Sequence, residues 1–210
     1  MSIRLLVADD HEVVRRGLAT LFEGTDIEIV HEAADGAEAT KAAKKHKPDV
    51  VLMDIRMPNR DGLESLAEIR KKVPDAKVVM LSTYDNPTYV ARSVALGAWE
   101  YVLKGSPRQE IISAVQRAAA GQQAPVGSLL EEVRDAMRRE PASPQPETPV
   151  TPREAQVLRH IALGLSNREI ASSLGISVET VKEHVQNILR KIEAVDRTQA
   201  AVWAVRKGLV

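Results

Sequence analysis

The chain has 210 residues, enough for one large domain or two small ones, and its 29 basic side chains balance 29 acidic ones, so net charge alone points to no polyanionic partner. It has no cysteine, which excludes disulfides, thiolate metal sites and cysteine nucleophiles and suits a reducing cytosol. The opening apolar run ends at Asp9, too short for a signal peptide, and no other stretch approaches membrane-spanning length. A soluble, cytoplasmic protein with no membrane partner is therefore expected. Short apolar runs at Ile3–Ala8, Ile27–Ala33, Val50–Met53, Val78–Leu81 and Tyr101–Leu103 alternate with helical patterns near 12–23, 36–46, 63–72, 87–96 and 107–120. Runs that are apolar at nearly every position suit parallel strands covered on both faces. Five such units predict an α/β domain with an open, doubly wound, five-stranded parallel sheet and right-handed crossovers. Pro87 and Pro107 stand where helices should start, and Gly97 where one should end.

Residues 128–139 read as a connector helix with Leu129, Leu130, Val133 and Met137 on one side. Residues 140–149 hold four prolines in ten positions and no apolar period, the composition of an extended, semi-rigid linker. The expected organisation is a domain over 1–120, a connector helix and linker over 121–150, and a small all-α domain over 151–210. The last segment carries 9 basic and 6 acidic side chains, so the neutral total conceals a mildly basic module. Its punctuation is clear. Thr151-Pro152-Arg153-Glu154 and Ser166-Asn167-Arg168-Glu169 are capping boxes, Gly164 and Gly175 are placed to end two helices, and Ser177 to begin a third. A last helix is expected from Thr198 to Lys207.

In an open parallel sheet, function gathers at the carboxyl ends of the strands. Asp9 and Asp10 follow the first run, Asp54 closes the third, Ser82 the fourth and Lys104 the fifth. Three neighbouring carboxylates repel one another, and a hard divalent cation such as Mg²⁺ is their natural compensation. Lys104 would supply a point charge for a phosphoryl group and Ser82 a hydroxyl donor, while a carboxylate held there could attack phosphorus. Singly, an Asp at a strand end is usually a helix cap or a solvated turn and a lone Lys more often a surface charge; the joint placement of all five argues for chemistry.

Together, Asp9-Asp10, Asp54-Ile55-Arg56-Met57-Pro58 with Asp61-Gly62, Ser82 and Tyr101-Val102-Leu103-Lys104 resemble the receiver domain of bacterial response regulators, across essentially all of residues 1–120. The resemblance implies a flavodoxin-like fold and phosphorylation of Asp54 by a sensor histidine kinase. It implies Mg²⁺ bound by Asp10, Asp54 and the backbone carbonyl of Arg56, with Asp9 orienting metal-bound water. It further implies that Ser82 and Lys104 contact the phosphoryl group, that Tyr101 changes rotamer on activation, and that Arg56 and Tyr84 influence how fast the phosphate is lost. Such a domain catalyses only its own phosphoryl acceptance and loss. An ordinary strand role for Tyr101 stays open. A phosphohydrolase with Asp54 as nucleophile is the competing enzymatic reading, but dehalogenase-like phosphatases carry a second Asp two residues on, where this chain has Arg56.

The C-terminal helices have helix-turn-helix spacing. On the third, Val178, Val181, Val185, Ile188, Leu189 and Ile192 form an apolar stripe. Glu179, Thr180, Glu183, Gln186, Asn187 and Arg190 lie opposite, with Lys182 at the margin. These side chains could reach base edges or phosphates of double-stranded DNA. The segment resembles the LuxR-type helix-turn-helix of the NarL/FixJ family through Thr151-Pro152-Arg153-Glu154, Val157-Leu158, Gly164, Ser166-Asn167, Glu169-Ile170-Ala171, Leu174, Ser177, Thr180-Val181-Lys182, His184-Val185 and Arg197-Thr198. That likeness implies DNA contact by Lys182, with Glu183 and Gln186 beside it, and a homodimer on phosphorylation. Glu183 departs from more basic relatives, and Glu193 stands where many have glycine. A constitutive DNA binder whose receiver serves only as a dimer scaffold remains the alternative. The five histidines show no metal-binding spacing; His11 reads as a loop residue beside the acidic pocket.

Overall fold

A computed structural model describes residues 2–83, 85–138, 149–207 and 209. Tyr84 and the proline-rich linker, Pro149 apart, lie outside the described residues, as do the side chains of Met137 and Thr198. The described residues fall into two compact units, Met1–Asp85 with Leu96–Leu130, and Asn86–Ala95 with Glu131–Val210.

The first unit holds β1 (Ile3–Ala8), β2 (Ile27–Ala33), β3 (Val50–Asp54), β4 (Lys77–Ser82) and β5 (Glu100–Leu103), with α1 (Glu12–Phe22), α2 (Gly36–His46), α3 (Gly62–Lys72) and α5 (Arg108–Ala119). All strand pairs are parallel, in the order β2-β1-β3-β4-β5. This is the flavodoxin-like order, and it creates a topological switch point between β1 and β3, where the connections leave in opposite directions. β3 is buried at every position, as its uninterrupted apolar run predicts. Leu5, Val7, Leu52, Val79, Leu81 and Val102 form one core cluster with Leu18 and Phe22 of α1 and Ile111, Ile112 and Val115 of α5. The alternate residues Leu6, Val51, Met53 and Met80 are buried as well, as are Leu63, Leu66 and Ile69 of α3. With one Phe and few rings available, these cores are aliphatic, each side chain worth about 1.5–3 kcal/mol on burial.

The second unit comprises α4 (Pro87–Ala95), α6 (Leu129–Arg138, from Glu131 on), α7 (Pro152–Ala162), α8 (Asn167–Leu174), α9 (Val178–Lys191) and α10 (Arg197–Arg206). Both expected capping boxes are formed, Thr151 with Glu154 and Ser166 with Glu169, and Ser177 caps α9 by accepting from the Thr180 amide. Gly175 ends α8 in the left-handed conformation, φ +64°, and the Ile176 amide donates to the Ala171 carbonyl. Val181 and Ile188 are buried, and Val185, Leu189 and Ile192 pack against the same cluster. Val178 corrects the expected stripe: as the first residue of α9 it is 39% exposed, because the stripe enters the core only one turn later. His160 is fully buried and bridges α7 to α8, with Nδ1 2.7 Å from the Gln156 carbonyl and Nε2 2.9 Å from Ser173 Oγ. Burial, above all, holds its pKa below the usual histidine value, so it is a neutral structural residue.

Glu193, the departure noted just after α9, has φ +54°. The Ala194 amide donates to the Leu189 carbonyl at 2.9 Å, closing a Schellman turn around it. A side chain in that conformation costs roughly 1–2 kcal/mol that glycine avoids. Glu193→Gly is therefore expected to raise the stability of the C-terminal module by about 1 kcal/mol. Thermal denaturation checks it; an unchanged or lowered midpoint would show that the turn is not strained.

Candidate functional site

The site forms at the switch point. Register pairs Ala8 with Met53, so the residues that follow, Asp9 and Asp54, leave neighbouring strands side by side. Ser82 pairs with Leu103, and the Lys104 amide donates to the Ser82 carbonyl at 2.7 Å, which brings the fourth and fifth strand ends to the same rim. Asp9, Asp54 and Ser82 are buried. Lys104 Nζ lies 2.6 Å from Asp9 Oδ2 and 3.0 Å from Asp54 Oδ2. Its protonated form is favoured: burial opposes the charge, but the carboxylates of Asp9 and Asp54 outweigh it and raise its pKa. The Asp54 carboxyl is pushed up, chiefly by burial and also by Asp9, while Lys104 and the Ile55 amide pull it back.

Backbone packing fixes these groups. The Ile55 amide donates to Asp54 Oδ1 at 2.8 Å, and the Gly62 amide to the Ile55 carbonyl at 2.8 Å. A Cβ on Gly62 would sit 1.9 Å from the Asp54 carbonyl oxygen, so the first turn of α3 lies directly on the backbone of Asp54. Asp61 caps α3, Asp35 caps α2, and Asn59 donates to Asp35, tying the 55–61 loop to both helices. On the other side the His11 amide donates to Asp9 Oδ1 at 2.9 Å and Arg15 donates to the Asp9 carbonyl at 2.7 Å. Sequence reasoning assigned no role to Gly62 or Arg15. The signal for Gly62 was a poor helix former at the first helical position.

Asp9, Asp10, His11 and Asp54 each offer a ligand atom within 4.8 Å of the others. Asp9 Oδ2 and Asp10 Oδ1 are buried atoms without a hydrogen-bond partner, although Lys104 Nζ lies 2.6 Å from the first and His11 Nδ1 2.8 Å from the second. Unsatisfied carboxylate oxygens converging on one point are what a hard divalent cation requires, so the residues fit such an ion. His11, without a metal-binding spacing in the sequence, joins this cluster through the fold. Arg56 is exposed in the loop after β3. Tyr101 is buried, at 4% exposure rather than the half-exposure of an ordinary edge-strand residue. It lines a cavity of about 510 Å³ with Asp85, Glu100, Leu103, Arg117 and residues 125–129.

In the C-terminal module α9 presents Lys182, Glu183, Gln186 and Arg190 to solvent, as expected. Thr180 and Asn187 are half-buried, and the Thr180 hydroxyl is 2.8 Å from Ser177 Oγ, inside the cap. Lys182 Nζ pairs with Glu179 at 3.0 Å, an exposed pair of little energetic weight that a phosphate can replace. Arg197 donates to Asn167 and to the Leu165 carbonyl, fixing the start of α8.

Residues 5–116 match the response regulator receiver domain, and residues 148–204 match the bacterial regulatory proteins of the luxR family. The chain belongs to the response regulators that join a receiver to a LuxR-type DNA-binding domain, the transcriptional regulators of two-component systems. It is 39% identical over 209 residues to the transcriptional regulatory protein LiaR of Bacillus subtilis, covering 99% of both chains. It is equally 39% identical over 211 residues to the response regulator VraR of Staphylococcus aureus, covering 100% of both. Among solved structures, ChrA, the response regulator of a heme-sensing two-component system, is 33% identical with a TM-score of 0.54, covering 100% of this chain and 99% of its own. The receiver domain of NarL from Mycobacterium tuberculosis is 37% identical with a TM-score of 0.56, covering 58% of this chain and 98% of its own. Among the described residues, no helix is long and apolar enough to cross a membrane.

Proposed function

We propose that this chain is a cytoplasmic, phosphorylation-gated transcription factor. In this reading residues 1–120 are the receiver, 121–150 the connector and 151–210 the DNA-binding domain. Asp54 accepts a phosphoryl group from the phosphohistidine of a sensor kinase. A carboxylate oxygen of Asp54 bonds to phosphorus as the P–N bond breaks, and its electron pair stays with the imidazole of the donor. The single observation that carries the reading is the buried Asp54 carboxylate with Lys104 Nζ 3.0 Å away at the switch point of the sheet. Lys104 holds the charge of the incoming group, and Ser82 offers it a hydroxyl. Asp10, Asp54 and the carbonyl of Arg56 would hold Mg²⁺, with Asp9 orienting its water. The ion, when bound, neutralises phosphoryl oxygens. Hydrolysis of the acyl phosphate returns the site to its starting state, so the chain turns over no separate substrate.

Phosphorylation adds charge that Lys104 and Ser82 compensate, which draws in the loop after β4 and lets Tyr101 move within its cavity. That change is read out as homodimerisation or release of the DNA-binding domain, which doubles the phosphate contacts made to double-stranded DNA. Thr180, Lys182, Glu183, Gln186, Asn187 and Arg190 form the groove-facing set, with Glu183 suited to accept from cytosine.

Asp54→Ala is expected to abolish uptake of label from a phosphorylated kinase or acetyl phosphate; retained label on the variant would overturn the site. Selection of genomic DNA fragments with and without beryllofluoride and Mg²⁺ tests the gating. Fragments enriched only with the mimic support it, and equal enrichment favours a constitutive binder. Lys182→Ala is expected to weaken binding to every sequence and reduce the salt slope by about one if it contacts phosphate. Relaxed specificity at one base pair would make it a base reader, and unchanged binding would remove it from the interface.

A further inference from the structure

β1 pairs with β2 and with β3 as far as Ala8, so Asp9 stands one residue past the last registered pair. Its amide still donates to the Ala33 carbonyl at 3.1 Å. Its carbonyl takes a bond from a side chain instead: Arg15 Nη1 donates to it at 2.7 Å. A helix side chain leans toward the N-terminus of its helix, which carries Arg15 back toward Asp9. The first turn of α1 fixes where that side chain begins, because the Arg15 amide donates to the His11 carbonyl at 3.2 Å. On its other edge, Arg15 Nε lies 3.4 Å from Glu32 Oε2, and Glu32 is the register partner of Val7 on β2. The guanidinium, on a side chain 16% exposed, thus links β2 to the peptide that follows β1.

The carbonyl of Asp9 and the amide of Asp10 belong to one planar peptide. A donor that fixes the carbonyl fixes that plane, and with it the direction in which Asp10 leaves the chain. Asp9 has other supports, since it is buried and its carboxylate accepts from the His11 amide at 2.9 Å. Asp10 has fewer. Its side chain is 29% exposed and its Oδ1 makes no hydrogen bond, so the backbone beneath it does most to aim it.

We propose that Arg15 is a positioning residue of the phosphorylation site, aiming Asp10 through the Asp9–Asp10 peptide while Glu32 holds the guanidinium in place. The inference rests on the acidic-site reading above, takes its ligands as given there, and assigns what orients one of them. Arginine suits the role because its rigid fork offers Nε and Nη1 to two acceptors at once, whereas lysine is one point charge on a flexible stem. Charge alone predicts the opposite effect. A cation beside three carboxylates repels an entering metal ion, so the loss of a mere charge would tighten metal binding. The loss of a group that aims Asp10 weakens it.

The test measures the Mg²⁺ affinity of the purified full-length chain without a phosphoryl donor, by displacement of Mn²⁺ followed in the paramagnetic resonance of the free ion. The rate of phosphorylation by acetyl phosphate at saturating Mg²⁺ is measured beside it. Arg15→Met and Arg15→Lys are each expected to bind Mg²⁺ about tenfold more weakly. Their saturated rates should stay near that of the natural chain, because Asp54 and Lys104 keep their places. Glu32→Gln, at a side chain 35% exposed, should weaken binding by a smaller factor, and it keeps the test open if Arg15→Met does not fold. Tighter binding in Arg15→Met would reduce Arg15 to a charge, and natural affinity in Arg15→Lys would show that the fork is not needed; either overturns the proposal. A saturated rate that falls as far as the affinity would make Arg15 a support of the whole site and overturn it as well. Unchanged affinity in Glu32→Gln would overturn the part given to Glu32. No saturable Mg²⁺ binding by the natural chain would overturn the acidic-site reading itself and the role of Arg15 with it.

Discussion

Gly62→Ala is expected to cost about 3 kcal/mol or more and to remove phosphate uptake with it, although residue 62 touches no phosphate. A Cβ at this position would lie 1.9 Å from the carbonyl oxygen of Asp54, 2.9 Å from its carbonyl carbon and 3.1 Å from Ile55 Cα. All three are backbone atoms, so no rotamer change can relieve the overlap. Either α3 retreats and loses the bond from the Gly62 amide to the Ile55 carbonyl, or Asp54 is pushed along its strand and out of reach of Lys104. Gly17→Ala is the matching control. Gly17 lies within α1, and an added Cβ there meets nothing within 4 Å. That substitution should stabilise by about 0.5–1 kcal/mol through helix propensity. Urea denaturation separates the two, and a Gly62→Ala protein as stable as the natural chain would show that α3 does not rest on β3.

Lys104→Met should have the second large effect, and its size depends on pH. The lysine side chain is 16% exposed and lies between carboxylates that are 0% and 6% exposed, so its removal leaves two buried negative charges facing each other. Breaking such an arrangement typically costs about 3–5 kcal/mol. In the natural chain the Asp54 pKa is already raised, first by burial, and Lys104 is the main influence lowering it. Without the lysine it rises further. A carboxyl whose pKa is higher folded than unfolded contributes stability at low pH and loses it as pH climbs through the folded value. The deficit of the variant should therefore be largest near about pH 8 and shrink toward about pH 5, as Asp54 becomes neutral. Denaturation midpoints across that range test this. A deficit independent of pH would mean that Lys104 acts by packing, not by charge. Phosphate uptake should fall in parallel at neutral pH.

The strands were legible because each is short, apolar and bounded by turn residues; β1 and β2 match their predicted runs, and the other three gain one residue or one at each end. The caps of α7, α8 and α9 were legible for a similar reason: a hydroxyl three residues before a glutamate, or at the head of an apolar stripe, satisfies orphan amides locally. The acidic site was legible through position, since strand ends in a parallel sheet share one rim. Val178 was misplaced because a projected stripe does not show where a helix first meets its neighbours.

The sequence by itself determined which segments form strands and helices, where most of them stop, and that Asp9, Asp10, Asp54, Ser82 and Lys104 share an edge. These depend on local period, capping and strand direction. Only the tertiary structure decided that Lys104 bridges Asp9 and Asp54, that Gly62 presses on the backbone of Asp54, that Tyr101 is buried beside a cavity, and that His11 turns toward the carboxylates and leaves its own helix uncapped. Apart from His11, whose partners Asp9 and Asp10 precede it directly in the chain, each of these brings together residues from different elements of the fold. The distances that govern Coulomb attraction and steric overlap exist only once β1, β3 and β5 are in register.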